Sequence, residues 1–130
     1  MLFLLEMAKK VRVLIADDHA LFAEALQAIL TTDKRIHVVG RARDGLEAVE
    51  LTEQLDPNVV LMDISMPLLD GIEAAKKLRE SKPNTSVLML TGSNARADVA
   101  RARRAGAAGY VTKDRIAAEL IDAILEVASR

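Results

Sequence analysis

The apolar residues of this chain alternate between two periods, and that alternation limits the fold more than any other feature. Short, nearly continuous apolar runs occupy 11–16, 36–42, 58–64, 86–90 and 108–112. Such runs mark strands buried on both faces of a sheet. Between them, apolar residues recur at helical spacing over 20–31, 46–55, 72–80, 95–105 and 115–128. In the first helix this spacing turns Phe22, Leu26, Ile29 and Leu30 inward. Turn residues fall at the joints: Asp44-Gly45, Asp56-Pro57-Asn58, Asp70-Gly71, Ser81-Lys82-Pro83-Asn84 and Gly106. Asn94 and Asp114 stand where side-chain caps of the last two helices are expected.

Unbroken βα alternation predicts an α/β fold with a parallel sheet between two helical layers. Right-handed crossovers leave few topologies. The expected one is a flavodoxin-like (βα)5 three-layer sandwich with strand order 2-1-3-4-5. A length of 130 residues suits one domain. Aromatic residues make up only 2% against 51% hydrophobic, so the core must be aliphatic.

In an open parallel sheet, ligands bind just beyond the carboxyl ends of the strands. Here the first strand runs into Asp17-Asp18, the third into Asp63, the fourth into Thr91 and the fifth into Lys113. Carboxylates, a hydroxyl and an ammonium would therefore meet at one sheet edge. Neighbouring carboxylates repel by about 4 kcal/mol at 4 Å and an effective dielectric of 20. A shifted pKa or a bound cation must offset that. Hard oxygen donors with no His or Cys expected nearby favour Mg2+, or Mn2+ as a substitute; Mg2+ uses few carboxylates and shares phosphate oxygens. Lys113 and Thr91 would stabilise a phosphoryl group, and Asp63, ending the central strand, is the expected nucleophile.

Other residues read more plainly. His19 reads as a first-turn helix residue rather than a base or a metal ligand. His37 is expected at the surface. Arg96, Arg101, Arg103 and Arg104 read as a solvated basic face, with a docking surface for an acidic partner or a dimer mate as the alternative. The 18 basic and 19 acidic residues leave a net charge of -1, which does not point to nucleic acid. The chain has no cysteine, which excludes disulfides and thiolate sites and leaves a reducing cytoplasm as the expected compartment. Met1-Leu2-Phe3-Leu4-Leu5-Glu6-Met7 is too short for a membrane span and lacks the charge order of a signal peptide. Residues 1–9 read as an extension, with Met7 an alternative start, and 10–130 as the domain.

From about Lys10 to Ser129 the chain resembles the receiver domain of two-component response regulators, most closely the LuxR/NarL type. The resemblance rests on several pieces in order: Ala16-Asp17-Asp18-His19; Leu61-Met62-Asp63-Ile64-Ser65-Met66-Pro67; Asp70-Gly71; Leu90-Thr91-Gly92; and Gly106-Ala107-Ala108-Gly109-Tyr110-Val111-Thr112-Lys113-Asp114. It implies that Asp63 accepts a phosphoryl group from a sensor histidine kinase. It implies Mg2+ held by Asp18, Asp63 and the Ser65 carbonyl, with Asp17 acting through water. Lys113 would contact the phosphoryl group, and Thr91 and Tyr110 would switch with it. The surface formed by the fourth helix, fifth strand and fifth helix would then signal onward. Ser65 and Ser93 stand where the family tunes phosphoryl lifetime.

Two departures stand out. Asp114 follows Lys113 where many receivers carry proline, which leaves open whether that bond is cis. Leu68 stands where glycine is frequent, so a differently shaped loop is expected. LuxR/NarL-type proteins usually carry a DNA-binding domain after the receiver. The expectation is that this chain is the receiver part of such a regulator, contacting DNA only through that further domain and possessing no membrane contact. A stand-alone regulator, a homodimer, a Mg2+-dependent aspartyl-phosphate phosphatase and an interaction module that is never phosphorylated are the alternatives. Beyond its own phosphorylation and dephosphorylation, no enzymatic turnover is expected.

Overall fold

The computed structural model describes residues 10–92 and 96–130. Five parallel strands form one sheet: β1 (Val11–Ala16), β2 (Ile36–Ala42), β3 (Val59–Asp63), β4 (Ser86–Thr91) and β5 (Gly109–Thr112). Their order is β2-β1-β3-β4-β5, as expected from the alternation. The connecting helices are α1 (Ala20–Leu30), α2 (Gly45–Leu55), α3 (Gly71–Ser81), α4 (Arg96–Arg104) and α5 (Ile116–Ala128).

Strand parity divides the core in two. Val13, Ile15, Val59, Leu61, Leu88, Leu90 and Val111 point to one face and are covered by α1 and α5. Leu14, Ala16, Val60, Met62, Val87 and Met89 point to the other and are covered by α2, α3 and α4. All five residues of β3 are buried, which explains its continuous apolar run. Phe22 and Ile29 pack at the margin of the first cluster, while Leu26 and Leu30 lie inside it.

Local chemistry sets the helix starts. Asp44 and Asp70 cap α2 and α3, accepting from the backbone N–H of Glu47 and Glu73 at 2.8 and 2.9 Å. The cap expected of Asp114 does not form. Residues Lys113–Arg115 make a 3-10 turn, and α5 begins after Arg115 without a side-chain cap. The cap expected of Asn94, the role of Ser93 and the extension 1–9 lie outside the described residues. The described residues contain no cis peptide bond, so Lys113-Asp114 is trans. His19 stands one residue before α1 in extended conformation rather than in its first turn.

Two loop positions matter to the edge where β3 ends. Leu68 has φ +68 and is 79% exposed. It holds a left-handed conformation, a region that favours glycine, and so carries the steric penalty of a side chain there. Gly71 opens α3, and a Cβ there would overlap the Asp63 carbonyl oxygen and crowd Ile64. Its N–H donates to the Ile64 carbonyl at 2.9 Å. Glycine thus lets the start of α3 lie directly on the end of β3. Gly71→Ala is expected to lower unfolding free energy by about 2 kcal/mol or more, measured by urea denaturation.

Candidate functional site at the carboxyl edge of the sheet

Register brings the polar strand ends together. Ala16 pairs with Met62, so Asp17 and Asp63 sit level on adjacent strands. Asp63 pairs with Leu90, and Leu90 with Val111. Lys113 lies two residues beyond Val111 and leaves the sheet on the same face. Its long stem reaches back over β3. The ammonium stands 3.5 Å from Asp63 Oδ1 and 3.9 Å from Asp17 Oδ2. The same parity carries it over the α1 side, where it lies 4.6 Å from the centre of the Phe22 ring. A cation over an aromatic face is attracted by the ring quadrupole, which helps hold Lys113 in place.

The carboxylates differ in environment. Asp17 and Asp63 are buried, while the Asp18 side chain is 31% exposed. Asp17 Oδ1 accepts the His19 backbone N–H at 2.8 Å. Asp17 Oδ2 is buried without a hydrogen-bond partner. Burial pushes the Asp63 carboxyl above the ordinary aspartate range, and the neighbouring Asp17 charge pushes it further. Lys113 and a backbone hydrogen bond from Ser65 oppose that rise. Asp17, Asp18, His19 and Asp63 each offer a ligand atom, and these atoms all lie within 4.8 Å of one another.

One ammonium facing several carboxylates leaves the pocket short of positive charge. Asp17 Oδ2, which has no hydrogen bond and only a long ion pair to Lys113, and the oxygen-rich donor set fit a divalent cation that prefers oxygen. The remaining expected residues fall around this centre. Thr91 is buried at the end of β4, one residue beyond the partner of Asp63. Ser65 is exposed in the loop after β3. Tyr110 pairs with Met89 and is 38% exposed. Tyr110 and Thr91 share the α4 face of the sheet, since Thr91 lies two residues beyond Met89. His37 is exposed, as expected.

Sequence reasoning missed three contributors. His19 turns its ring to the acidic pair, with Nδ1 3.3 Å from Asp17 Oδ1 and 3.2 Å from Asp18 Oδ1. Phe22 supports Lys113 rather than only filling the core. Its rarity was the available signal, as one of only two Phe in the chain. Gly71 permits the close approach at the end of β3, and nothing in the sequence distinguished that from an ordinary turn.

Comparison with known proteins agrees with this geometry. The sequence profile of the response regulator receiver domain matches residues 13–125. The chain belongs to the response regulator receiver domain family. It is 42% identical over 115 residues to the uncharacterized transcriptional regulatory protein YxjL of Bacillus subtilis, covering 88% of this chain and 53% of that protein. The signal receiver domain of NarL from Mycobacterium tuberculosis has a similar structure, with TM-score 0.89, 38% identity and coverage of 93% and 98%. CheY in a CheX-CheY-BeF3-Mg2+ complex from Borrelia burgdorferi matches with TM-score 0.83, 27% identity and coverage of 90% and 88%. The receiver spans about half the length of the curated transcriptional regulators it matches. Among the described residues, no helix is long and apolar enough to cross a membrane.

The raised Asp63 pKa has a consequence for stability. Between the unfolded and folded pKa values the folded state binds more protons, so stability falls as pH rises through that window. In metal-free protein, Asp63→Asn is therefore expected to raise the urea midpoint at pH 7. The gain should shrink as pH falls through the folded pKa, where wild-type Asp63 is already neutral.

Proposed function

We propose that this receiver is a phosphorylation switch in which Asp63 accepts a phosphoryl group from the phosphohistidine of a sensor histidine kinase. The observation that carries this reading is the meeting of Asp63 with Lys113, Asp17 and Asp18 at one sheet edge. An Asp63 carboxylate oxygen attacks phosphorus, and the P–N bond breaks. Its electron pair leaves on the imidazole, which takes up a proton. The product is an acyl phosphate on Asp63. Lys113 then has a second anion to pair with, the phosphoryl oxygens, and the hydroxyl of Thr91, one residue beyond the β4 partner of Asp63, would move to donate to them.

Mg2+ suits oxygen donors of this kind: the side chains of Asp18 and Asp63 and the Ser65 carbonyl would hold it, with Asp17 acting through water. When bound, it neutralises charge on the transferring phosphoryl group. The Borrelia CheY neighbour, solved with BeF3 and Mg2+, supports this choice. Leu21 and Leu68, 84% and 79% exposed, give the same edge an apolar rim for a kinase partner.

On the output side, Thr91 and Tyr110 lie on one face of the sheet, and a shift of Thr91 toward the phosphoryl group would be followed by an inward turn of the tyrosine. Beside Tyr110 a groove of about 480 Å3 runs between α4 and β5, lined by Arg103, Ala107, Gly109 and Arg130. Rotation of Tyr110 would reshape that groove, which makes it the surface read by the output. The relatives are named transcriptional regulators and are about twice as long, so control of transcription through an attached DNA-binding domain is the output proposed.

Incubation with Mg2+ and acetyl phosphate should add one phosphoryl group to wild type by intact mass. Asp63→Asn should remain unmodified, and chelator should prevent the addition. An adduct on Asp63→Asn, or turnover of a small phosphate ester beyond one equivalent, would overturn the assignment. Lys113→Met should slow formation by roughly 10²–10³-fold with the fold intact.

A further inference from the structure

His19 has three properties that a plain helix-entry residue does not need. Its side chain makes no capping hydrogen bond to α1. Its ring is instead turned back, with Nδ1 3.3 Å from Asp17 Oδ1 and 3.2 Å from Asp18 Oδ1. Its backbone N–H fixes Asp17 Oδ1 at 2.8 Å, which ties the ring and the carboxylate into one unit. The second carboxylate oxygen, Asp17 Oδ2, stays buried without a hydrogen bond on the side of Lys113.

We propose that His19 is a nitrogen ligand in the cation pocket, so that this receiver binds borderline divalent ions such as Co2+ and Zn2+ through Asp17, Asp18, Asp63 and His19. The inference rests on the reading of the pocket as a cation site and adds a donor that the sequence reading set aside. The spacing agrees. Ligands on a common six-coordinate ion with bonds near 2.1 Å lie roughly 3 Å apart when adjacent and about 4.2 Å apart when opposite. The imidazole nitrogen stands at the adjacent spacing from both aspartates, and all four donor atoms fall within 4.8 Å. The 67% exposure of the His19 side chain leaves its other nitrogen to water.

The chemistry separates this pocket from an all-oxygen one. Mg2+ binds oxygen and gains little from imidazole, whereas Zn2+ and similar ions accept it readily. Removing His19 should therefore weaken Co2+ and leave Mg2+ nearly unchanged. Aspartates alone would show no such difference.

The test is calorimetric titration of the untagged chain with Co2+ and with Mg2+, joined to the Co2+ visible spectrum. His19→Ala is expected to weaken Co2+ about tenfold or more, to change Mg2+ affinity less than threefold, and to shift the Co2+ bands. His19→Gln, which keeps hydrogen bonding to the aspartates but is a poor ligand for these ions, should behave as His19→Ala. His37→Ala should leave both affinities unchanged, since His37 is the other histidine of the chain. Equal effects on both ions, no effect on either, or rescue by glutamine would overturn the ligand role while the cation site stands. Failure of wild type to bind either ion would remove the cation site and this inference together.

Discussion

Everything at the carboxyl edge depends on one ammonium shared between two buried carboxylates. Lys113 comes from the last strand and Asp17 from the first, so their meeting requires the full strand order to be in place. Asp63 lies between them on β3 and takes the shorter contact, at 3.5 Å. A salt bridge of this kind is poor evidence for stability, because burial costs each ion its hydration. Its value here is positional. The pocket is held in a charged, incompletely neutralised state by residues that no other part of the fold requires to be polar. That excess of carboxylates is what a divalent cation would offset.

Much of this was readable from the chain. Strand positions followed from runs such as Val59–Asp63, which is buried throughout. The edge residues followed because a parallel sheet exposes its carboxyl ends on one side. What could not be read were features set by distance rather than by pattern. Asp114 looked like a cap, but the 3-10 turn at Lys113–Arg115 takes its place and aims Lys113. His19 looked like part of α1, but an extended backbone places it before the helix and turns its ring to the aspartates. Leu68 was visible as a departure, but the left-handed backbone it occupies was not.

The two layers of the molecule have separate tasks. The α1 and α5 layer supports the chemistry, since Asp17, Asp63 and Lys113 share the parity of its core strands and Phe22 underlies the lysine. In the proposed switch the opposite layer would carry the response. Thr91 and Tyr110 lie over that side, and the groove beside α4 opens there. A change at Asp63 would then reach Tyr110 by way of β4 and β5, which follow β3 directly in the sheet.

The aliphatic core has one more effect. The chain contains no tryptophan and one tyrosine, and that tyrosine is Tyr110, half exposed on β5. Tyrosine emission, distinct from the shorter-wavelength emission of the two phenylalanines, thus originates at a single position, on the strand that neighbours the proposed response surface. A core packed almost entirely from aliphatic side chains has left the molecule with one tyrosine label, and it needs no dye to report on that edge of the sheet.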